Sequence, residues 1–290
     1  MYTTLISAPQ LADLQQSGQP LMVFDCSFEL MQVGAGDQQY QQAHIPGAVR
    51  ADLDRHLSAA KTATDAASGG RHPLPSLATF GAWLSRIGFS NDMQAVVYDR
   101  QGLNYGGRLW WMLKWSGHEA VAVLDGGLQA WQANGGETES GLGAEPALGF
   151  LASNYALAPV QQAWSATETI AKNLGRPTQT LIDARGAPRF RGEVEPLDPV
   201  AGHIPGALNR PFNLNFGADG KFKPAAELRA EFDALLAGRD PATVVHHCGS
   251  GVSAVPNIIA MEIAGLGRTA LYAGSWSEWC SDTRRPFAQG

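Results

Sequence analysis

The sequence predicts two consecutive α/β domains, each with a parallel sheet covered by helices on both faces. Its length of 290 residues, with 44% hydrophobic residues, suits two domains that each bury a core. The chain also repeats itself in sequence. Within each repeat, short apolar strands alternate with helical stretches and show no polar–apolar alternation. This pattern is typical of parallel strands buried on both faces.

The internal repeat has four landmarks in the same order in both halves. HIPGA occurs at His44 and again at His203, and each copy follows an apolar strand that ends in aspartate, at Asp25 and Asp183. A Val-Val strand and then a glycine turn leading to tryptophan follow both copies. Paired landmarks lie 158 or 159 residues apart in the first two cases and 148 residues apart in the last two. Four ordered matches indicate two related domains.

The repeat also suggests where the domains begin and end. We predict a first domain over residues 1–135, a linker over 136–160 and a second domain over 161–290. The linker assignment follows from the glycine, small and polar residues of that stretch.

Bulk composition argues against several classes of protein. A net charge of −6 without clustered basic residues is unfavourable for binding nucleic acid. No apolar run reaches the roughly 18–20 residues that cross a membrane, so we expect no membrane partner. Three scattered cysteines predict neither a disulfide framework nor a metal site. The N-terminal residues do not resemble a secretory signal, and we expect a cytoplasmic protein.

Cys248 is the candidate nucleophile. It directly follows a Val-Val-His-His strand, and Gly249 and Gly251 allow a tight turn toward the next helix, which Ser253 is expected to cap. Backbone N–H groups of such a turn converge on the sulfur and favour a thiolate or a persulfide. The alternative is a buried, inert cysteine. The equivalent position in the first half is Arg100, so that half cannot carry the same chemistry.

Two rival sites fit the sequence poorly. A cysteine-loop phosphatase needs an arginine six residues after the cysteine, and this position is Ala254. His246 and His247 are adjacent in a strand, where successive side chains point to opposite faces, so a shared metal ion is not expected.

The loop Cys-Gly-Ser-Gly-Val-Ser-Ala beginning at Cys248 resembles the active-site loop of 3-mercaptopyruvate sulfurtransferases. The repeated HIPGA, the Trp-Trp-Met-Leu run at Trp110 and the Ser-Trp-Ser-Glu-Trp turn at Ser275 resemble the two-domain rhodanese family. This resemblance implies two rhodanese-like domains, each with a five-stranded parallel sheet. It also implies an active site in the second half, at the interface between the halves, with no metal or organic cofactor.

The resemblance also implies roles for particular residues. Arg189 matches the position that binds the donor's anionic group. Leu197 stands where members of the mercaptopyruvate type carry a second arginine, and Arg191 is a possible substitute. The remaining implied residues are the loop positions that bind the substrate, Gly249, Gly251, Val252 and Ser253, and a trio that handles the donor's proton, Ser250, His72 and Asp54.

The implied reaction moves sulfur from a small donor through a Cys248 persulfide to a thiol, cyanide or reduced protein dithiol. Gly249 and Ser250 bring no charge, whereas thiosulfate-type members place Arg and Lys there, so a monoanionic donor, 3-mercaptopyruvate, is favoured. Thiosulfate is the alternative donor, and Leu197 leaves that choice open. A non-catalytic binding module is a remoter alternative, since it would lack the cysteine or an intact loop.

Overall fold

The computed structural model of the chain describes residues 1–142 and 152–290, which form two compact units. The first contains Met1–Asp65, Ala218–Lys221 and the described part of Pro75–Gln161. The second contains Ala66–Leu74, Gln162–Gly217 and Phe222–Gly290. Each unit therefore includes a short segment from the other half of the sequence. The boundaries 1–135, 136–160 and 161–290 stay a prediction, and residues 143–151 of the predicted linker lie outside the described residues.

The first unit contains a parallel sheet of five strands within the described residues, in the order β1-β5-β4-β2-β3. Its strand β4 is buried along its whole length, as its apolar sequence predicts. The strands are β1 Leu5–Ile6, β2 Leu21–Asp25, β3 Val49–Arg50, β4 Gln94–Tyr98 and β5 Val121–Leu124. The helices are α1 Ala8–Gln16, α2 Ala35–Gln42, α3 Leu77–Arg86, α4 Asn104–Trp115 and α5 Gly127–Ala133.

The second unit repeats this plan with four parallel strands among its described residues, in the order β7-β6-β8-β9. The strands are β6 Thr180–Asp183, β7 Leu208–Asn209, β8 Val244–His247 and β9 Ala270–Leu271. The helices are α6 Thr167–Lys172, α7 Ala187–Phe190, α8 Ala225–Leu236, α9 Val255–Ile263 and α10 Ser275–Trp279, with 3₁₀ turns at Phe212–Asn215 and Pro241–Thr243.

The expected fifth strand of the second sheet is reduced to one bridge. Trp164 pairs in parallel with Leu271, and the Leu271 backbone bonds to Ala163 and Ser165 at 3.1 and 2.8 Å. The corresponding strand β1 pairs over two residues with β5, which is four residues long. In the second sheet the pairing is limited to Trp164 and Leu271. The prediction of five strands was therefore wrong for this half, while the α/β fold class is confirmed.

The repeated HIPGA segments have the same structural role in both units. The His44 ring stacks on Tyr40 at 3.9 Å and its Nδ1 lies 2.7 Å from the Tyr40 carbonyl oxygen. The His203 ring stacks on Phe190 at 3.7 Å, with Nδ1 2.8 Å from the Phe190 carbonyl oxygen. These paired contacts indicate that both histidines belong to turn and packing structure.

Tryptophans contribute to the cores of both units. Trp110 and Trp111 are fully buried in α4, and Trp276 and Trp279 are buried in α10. Arg108 is also fully buried in α4 and bonds to the Leu57 carbonyl oxygen at 3.3 Å, which supports a structural role. None of the helices in residues 1–142 and 152–290 is long and apolar enough to cross a membrane.

Candidate active site

Cys248 follows β8, an inner strand of the second sheet that pairs with both β6 and β9. Its side chain is 1% exposed. The Cys248 N–H donates to Ser275 Oγ at 3.1 Å, and its carbonyl oxygen accepts from the Trp276 N–H at 3.0 Å. The start of α10, which follows the neighbouring strand β9, therefore holds the cysteine backbone in place.

Two tight positions shape the loop. Gly251 has φ +72°, and a side-chain carbon there would lie 2.2 Å from the Ala273 carbonyl oxygen. Ser275 has φ +56°, an unusual value for a residue with a side chain. In the first unit the residue at the equivalent position is Gly127, with φ +61°. Ser275 therefore has the same left-handed conformation as Gly127, and its hydroxyl oxygen accepts the hydrogen bond from the Cys248 N–H.

Helix α9 starts differently from the sequence prediction. Its N-cap is Ala254, with no side-chain cap hydrogen bond, so the expected cap by Ser253 was wrong. Pro256 lies in the first turn, where its missing N–H costs no helical bond. Val252 is buried and its carbonyl oxygen accepts from the Val255 N–H at 3.1 Å, so the loop turns directly into the helix.

The Gly251→Ala variant tests the tight fit of the loop. We expect a loss of roughly 1–3 kcal/mol of unfolding free energy, because the methyl group meets Ala273 and the φ is left-handed. We expect the variant to form less persulfide at Cys248 as well. Gly265→Ala is the matched control, since Gly265 has φ +68° but open space around it. Urea unfolding measures both variants, and equal losses would show that the Ala273 contact does not matter.

His72 and Ser250 are brought together in the second unit. His72 belongs to the segment Ala66–Leu74, and its Nδ1 lies 2.8 Å from Ser250 Oγ. His72 and Ser250 are 5% and 6% exposed. Ser250 lies two residues after Cys248, so an imidazole–hydroxyl pair adjoins the loop of the candidate nucleophile. Such a pair can take up and return a proton.

Asp54, the third member of the expected trio, belongs to the first unit. It lies in an exposed turn, where its N–H donates to Asp52 Oδ1 at 3.0 Å. Burial and the Asp52 charge raise the pKa of the Asp54 carboxyl. Its participation in the site stays a prediction.

An alternating chain of charges lies beside the loop. The N–O distances of its ion pairs run from 2.6 to 3.3 Å. Three guanidinium groups alternate with three buried carboxylates, in the order Asp183, Arg185, Glu195, Arg189, Asp198 and Arg71. Because the charges of these six groups cancel, the chain adds no net positive charge to the site.

The inner and outer arginines of this chain differ in exposure. Arg185 is almost fully buried, 2.6 Å from Asp183. Burial lowers the pKa of Arg185, but the charges of Asp183, Glu195 and Cys248 outweigh it and raise that pKa. The side chains of Arg189 and Arg71 are each 21% exposed. The outer two are therefore available to a ligand, whereas Arg185 is structural.

Both outer arginines face the residue that follows the cysteine. A side-chain carbon on Gly249 would lie 2.9 Å from Arg71 Nη2 and 3.7 Å from Arg189 Nη1. Arg189 therefore lies beside the loop, while its role in binding the donor stays a prediction. Sequence reasoning missed Arg71, although it directly precedes His72 and a single segment carries both. Arg191 does not join this site, because it is exposed and pairs with Glu193 at 2.6 Å.

The other buried histidines and cysteines do not form a second site. His246 Nε2 lies 3.2 Å from Met261 Sδ, and burial lowers the pKa of His246 to about 3. Burial also lowers the pKa of His247 and raises the pKa of the Cys280 thiol to about 11 and of the Cys26 thiol well above its usual range. Among the described residues no group of His, Cys, Asp or Glu is arranged to hold a metal ion.

In the equivalent loop of the first unit, backbone N–H groups surround the carboxylate of Asp99. Asp99 accepts hydrogen bonds from four backbone N–H groups of its own loop at 2.8–2.9 Å, those of Gln101, Leu103, Tyr105 and Gly106. Arg100, at the position of Cys248, bonds to Asp25 Oδ2 at 3.0 Å. These four N–H groups are already bound to Asp99, so they cannot stabilise a persulfide.

Tandem parallel-sheet units with one cysteine-bearing, glycine-containing loop after an inner strand define the class of rhodanese-like sulfurtransferases. Comparison with known proteins agrees with this class. The rhodanese-like domain family matches residues 7–134 and 166–282, and the chain belongs to this family.

Individual relatives match the chain over nearly its full length. The Pseudomonas aeruginosa protein named "Probable 3-mercaptopyruvate sulfurtransferase" is 45% identical over 289 residues, covering 99% of this chain and 98% of that protein. A Mycobacterium tuberculosis relative with a thiosulfate sulfurtransferase name is 41% identical over 290 residues, covering 99% and 97%. The 3-mercaptopyruvate sulfurtransferase structure from Leishmania major is 32% identical with a TM-score of 0.83, covering 98% of this chain and 76% of that one. The chain is therefore an enzyme of the sulfurtransferase class.

Proposed function

We propose that this sulfurtransferase takes sulfur from 3-mercaptopyruvate, holds it as a persulfide on Cys248 and passes it to a thiol, cyanide or reduced protein dithiol. The observation that carries the proposal is the 2.8 Å contact between His72 Nδ1 and Ser250 Oγ beside Cys248. A donor that arrives as a thiol needs a group to move its proton, whereas thiosulfate carries no such proton. The presence of an imidazole–hydroxyl pair that can transfer a proton therefore supports the donor that arrives as a thiol.

In the first step the Cys248 thiolate attacks the thiol sulfur of 3-mercaptopyruvate. The new S–S bond forms while the carbon–sulfur bond breaks, and its electron pair stays with the carbon as pyruvate enolate. The thiol proton passes through Ser250 and His72 and ends on the methyl carbon of pyruvate. Atoms and charge balance, because a thiolate and a carboxylate enter and a persulfide anion and a carboxylate leave.

In the second step an acceptor attacks the outer sulfur of the persulfide. The S–S electron pair returns to Cys248, which regenerates the thiolate. With cyanide the product is thiocyanate, and with a thiol it is a new persulfide. Because the two substrates react in turn through a covalent intermediate, we expect ping-pong kinetics. None of these steps requires a metal or an organic cofactor.

Charge supports the choice of donor. The guanidinium groups beside the loop are matched by carboxylates, and Gly249 and Ser250 add no charge. Binding the thiosulfate dianion there leaves more uncompensated negative charge than binding one carboxylate, next to a thiolate that is itself negative. The thiosulfate name of the Mycobacterium tuberculosis relative keeps thiosulfate as the second candidate donor. The intact loop is unfavourable for a non-catalytic module.

Steady-state kinetics with both donors and a cyanide acceptor test the proposal. We expect kcat/KM for 3-mercaptopyruvate to exceed that for thiosulfate by at least about tenfold, which corresponds to 1.4 kcal/mol. Thiocyanate formation is the measurement, at matched ionic strength because the donors differ in charge. Equal or higher kcat/KM for thiosulfate would contradict the choice of donor and favour the alternative. The cytoplasmic location stays a prediction.

A further inference from the structure

The second cation expected at the donor site is missing from its usual place. Leu197 stands where the resemblance to mercaptopyruvate-type enzymes predicts an arginine, and its backbone N–H donates to Glu195 Oε1 at 3.1 Å. Arg191, the nearby arginine in sequence, is exposed and paired with Glu193. A second guanidinium for the donor must therefore come from another part of the chain.

The segment that carries His72 also holds Arg71 firmly beside the loop. Gly70 has φ +89°, and a side-chain carbon there would lie 2.6 Å from the Gly274 carbonyl oxygen. The Arg71 N–H donates to Ser277 Oγ at 2.9 Å, while the Ser277 N–H donates to the Gly249 carbonyl oxygen at 2.9 Å. Ser277 thus connects the Arg71 backbone to the loop, and the close approach requires glycine at position 70.

The side chains of Arg71 and Arg189 form a pair. Asp198 binds both, through Oδ1 to Arg71 Nη1 at 2.7 Å and through Oδ2 to Arg189 Nη2 at 3.2 Å. Both guanidinium groups face Gly249. Arg71 Nε is buried and has no hydrogen-bond partner among the described residues. A buried N–H without an acceptor is unfavourable, so Arg71 has unused capacity to bind an anion.

We propose that Arg71 and Arg189 together bind the carboxylate of the donor. Arg71 then supplies the second guanidinium, which is absent at position 197 because that residue is Leu197. This inference rests on the proposed function. Two planar guanidinium groups on one side of Gly249 can hold a carboxylate by several charge-assisted hydrogen bonds and direct the donor sulfur toward Cys248. Because Arg71 and His72 are adjacent, one segment positions both the donor's charge and its proton-transfer partner.

Replacement of Arg71 by alanine tests the pair. We expect KM for 3-mercaptopyruvate to rise about 10- to 100-fold, the worth of a charge-assisted hydrogen bond, while kcat changes less than about threefold. The inhibition constant of the product pyruvate rises in parallel, because pyruvate carries the same carboxylate. Arg71→Lys keeps the charge without the planar fork and lies between wild type and alanine. Arg191→Ala is the matched control and leaves both constants unchanged.

A second comparison separates donor binding from a merely structural role. If Arg71 only neutralises Asp198, the double variant Arg71→Ala/Asp198→Asn regains the wild-type KM. We expect no such recovery, and recovery would overturn the proposal. An unchanged KM and pyruvate inhibition constant in folded Arg71→Ala, with Tm as the check on folding, would overturn it as well.

Persulfide mass spectrometry distinguishes this inference from the proposed function. We expect wild type and Arg71→Ala to form the Cys248 persulfide, with the variant needing a higher 3-mercaptopyruvate concentration. If both form it at the same donor concentration, only the role of Arg71 is wrong. If wild type forms none, the proposed function itself is wrong.

Discussion

Replacement of Cys248 by serine lowers sulfur transfer from either donor by more than about 10⁴-fold and leaves the fold intact. A serine hydroxyl is neither ionised near neutral pH nor able to form a persulfide, so the covalent step is lost. The fold is kept because the Ser275 and Trp276 bonds at this position use backbone atoms of residue 248. Mass spectrometry of donor-treated wild type detects one added sulfur on the peptide containing Cys248.

The other two cysteines provide matched controls for this experiment. Burial raises the pKa values of the Cys26 and Cys280 thiols, so they stay protonated and react slowly. Cys26→Ser and Cys280→Ser therefore keep most of the activity. Sulfur found on Cys26 or Cys280, with none on Cys248, would refute the assignment of the nucleophile.

The variants Ser250→Ala and His72→Ala each lower turnover of 3-mercaptopyruvate by about 10²–10⁴-fold, the usual worth of general acid–base catalysis. The reason is the 2.8 Å contact between the two side chains, which act on the donor proton as one unit. The double variant is hardly slower than either single variant, because residues that act together are not additive. Steady-state kinetics and single-turnover pyruvate release measure these losses.

Thiosulfate is the internal control for this second prediction. Its departing sulfite needs no proton, so the same variants change thiosulfate turnover little. Equal losses on both donors would mean that Ser250 and His72 shape the loop and do not move a proton. Asp54→Asn then tests whether the carboxylate of the first unit contributes to the relay, as the resemblance implies.

Much of the fold could be predicted from the sequence because the relevant signals are local and repeated. Strands built around a Val-Val pair, such as Gln94–Tyr98 and Val244–His247, are buried along their whole length in parallel sheets, as strands without polar–apolar alternation predict. The duplicated HIPGA turns pack in the same way in both units. The loop at Cys248 could be recognised from its glycines, because Gly251 has a left-handed φ and lies too close to Ala273 for a side chain.

Several local details could not be predicted because neighbouring elements decide them. Trp164 makes one bridge with Leu271 instead of a fifth strand. Ser253 does not cap α9, because the helix begins one residue later than a serine cap requires. Both outcomes depend on the lengths of elements that hydrophobic patterns do not set precisely to one residue.

The two α/β units, the repeat and the cysteine loop suited to carry sulfur follow from the sequence alone. The resemblance implied roles for His72 and Ser250, but their contact and the position of Arg71 beside the loop depend on the tertiary structure. His72 and Ser250 are 178 residues apart in sequence, and Arg71 and Asp198 are 127 apart. The segment that carries Arg71 and His72 packs with the second unit although it lies in the first half of the chain. Contacts over such separations arise from packing of the whole unit, which no local pattern of residues encodes.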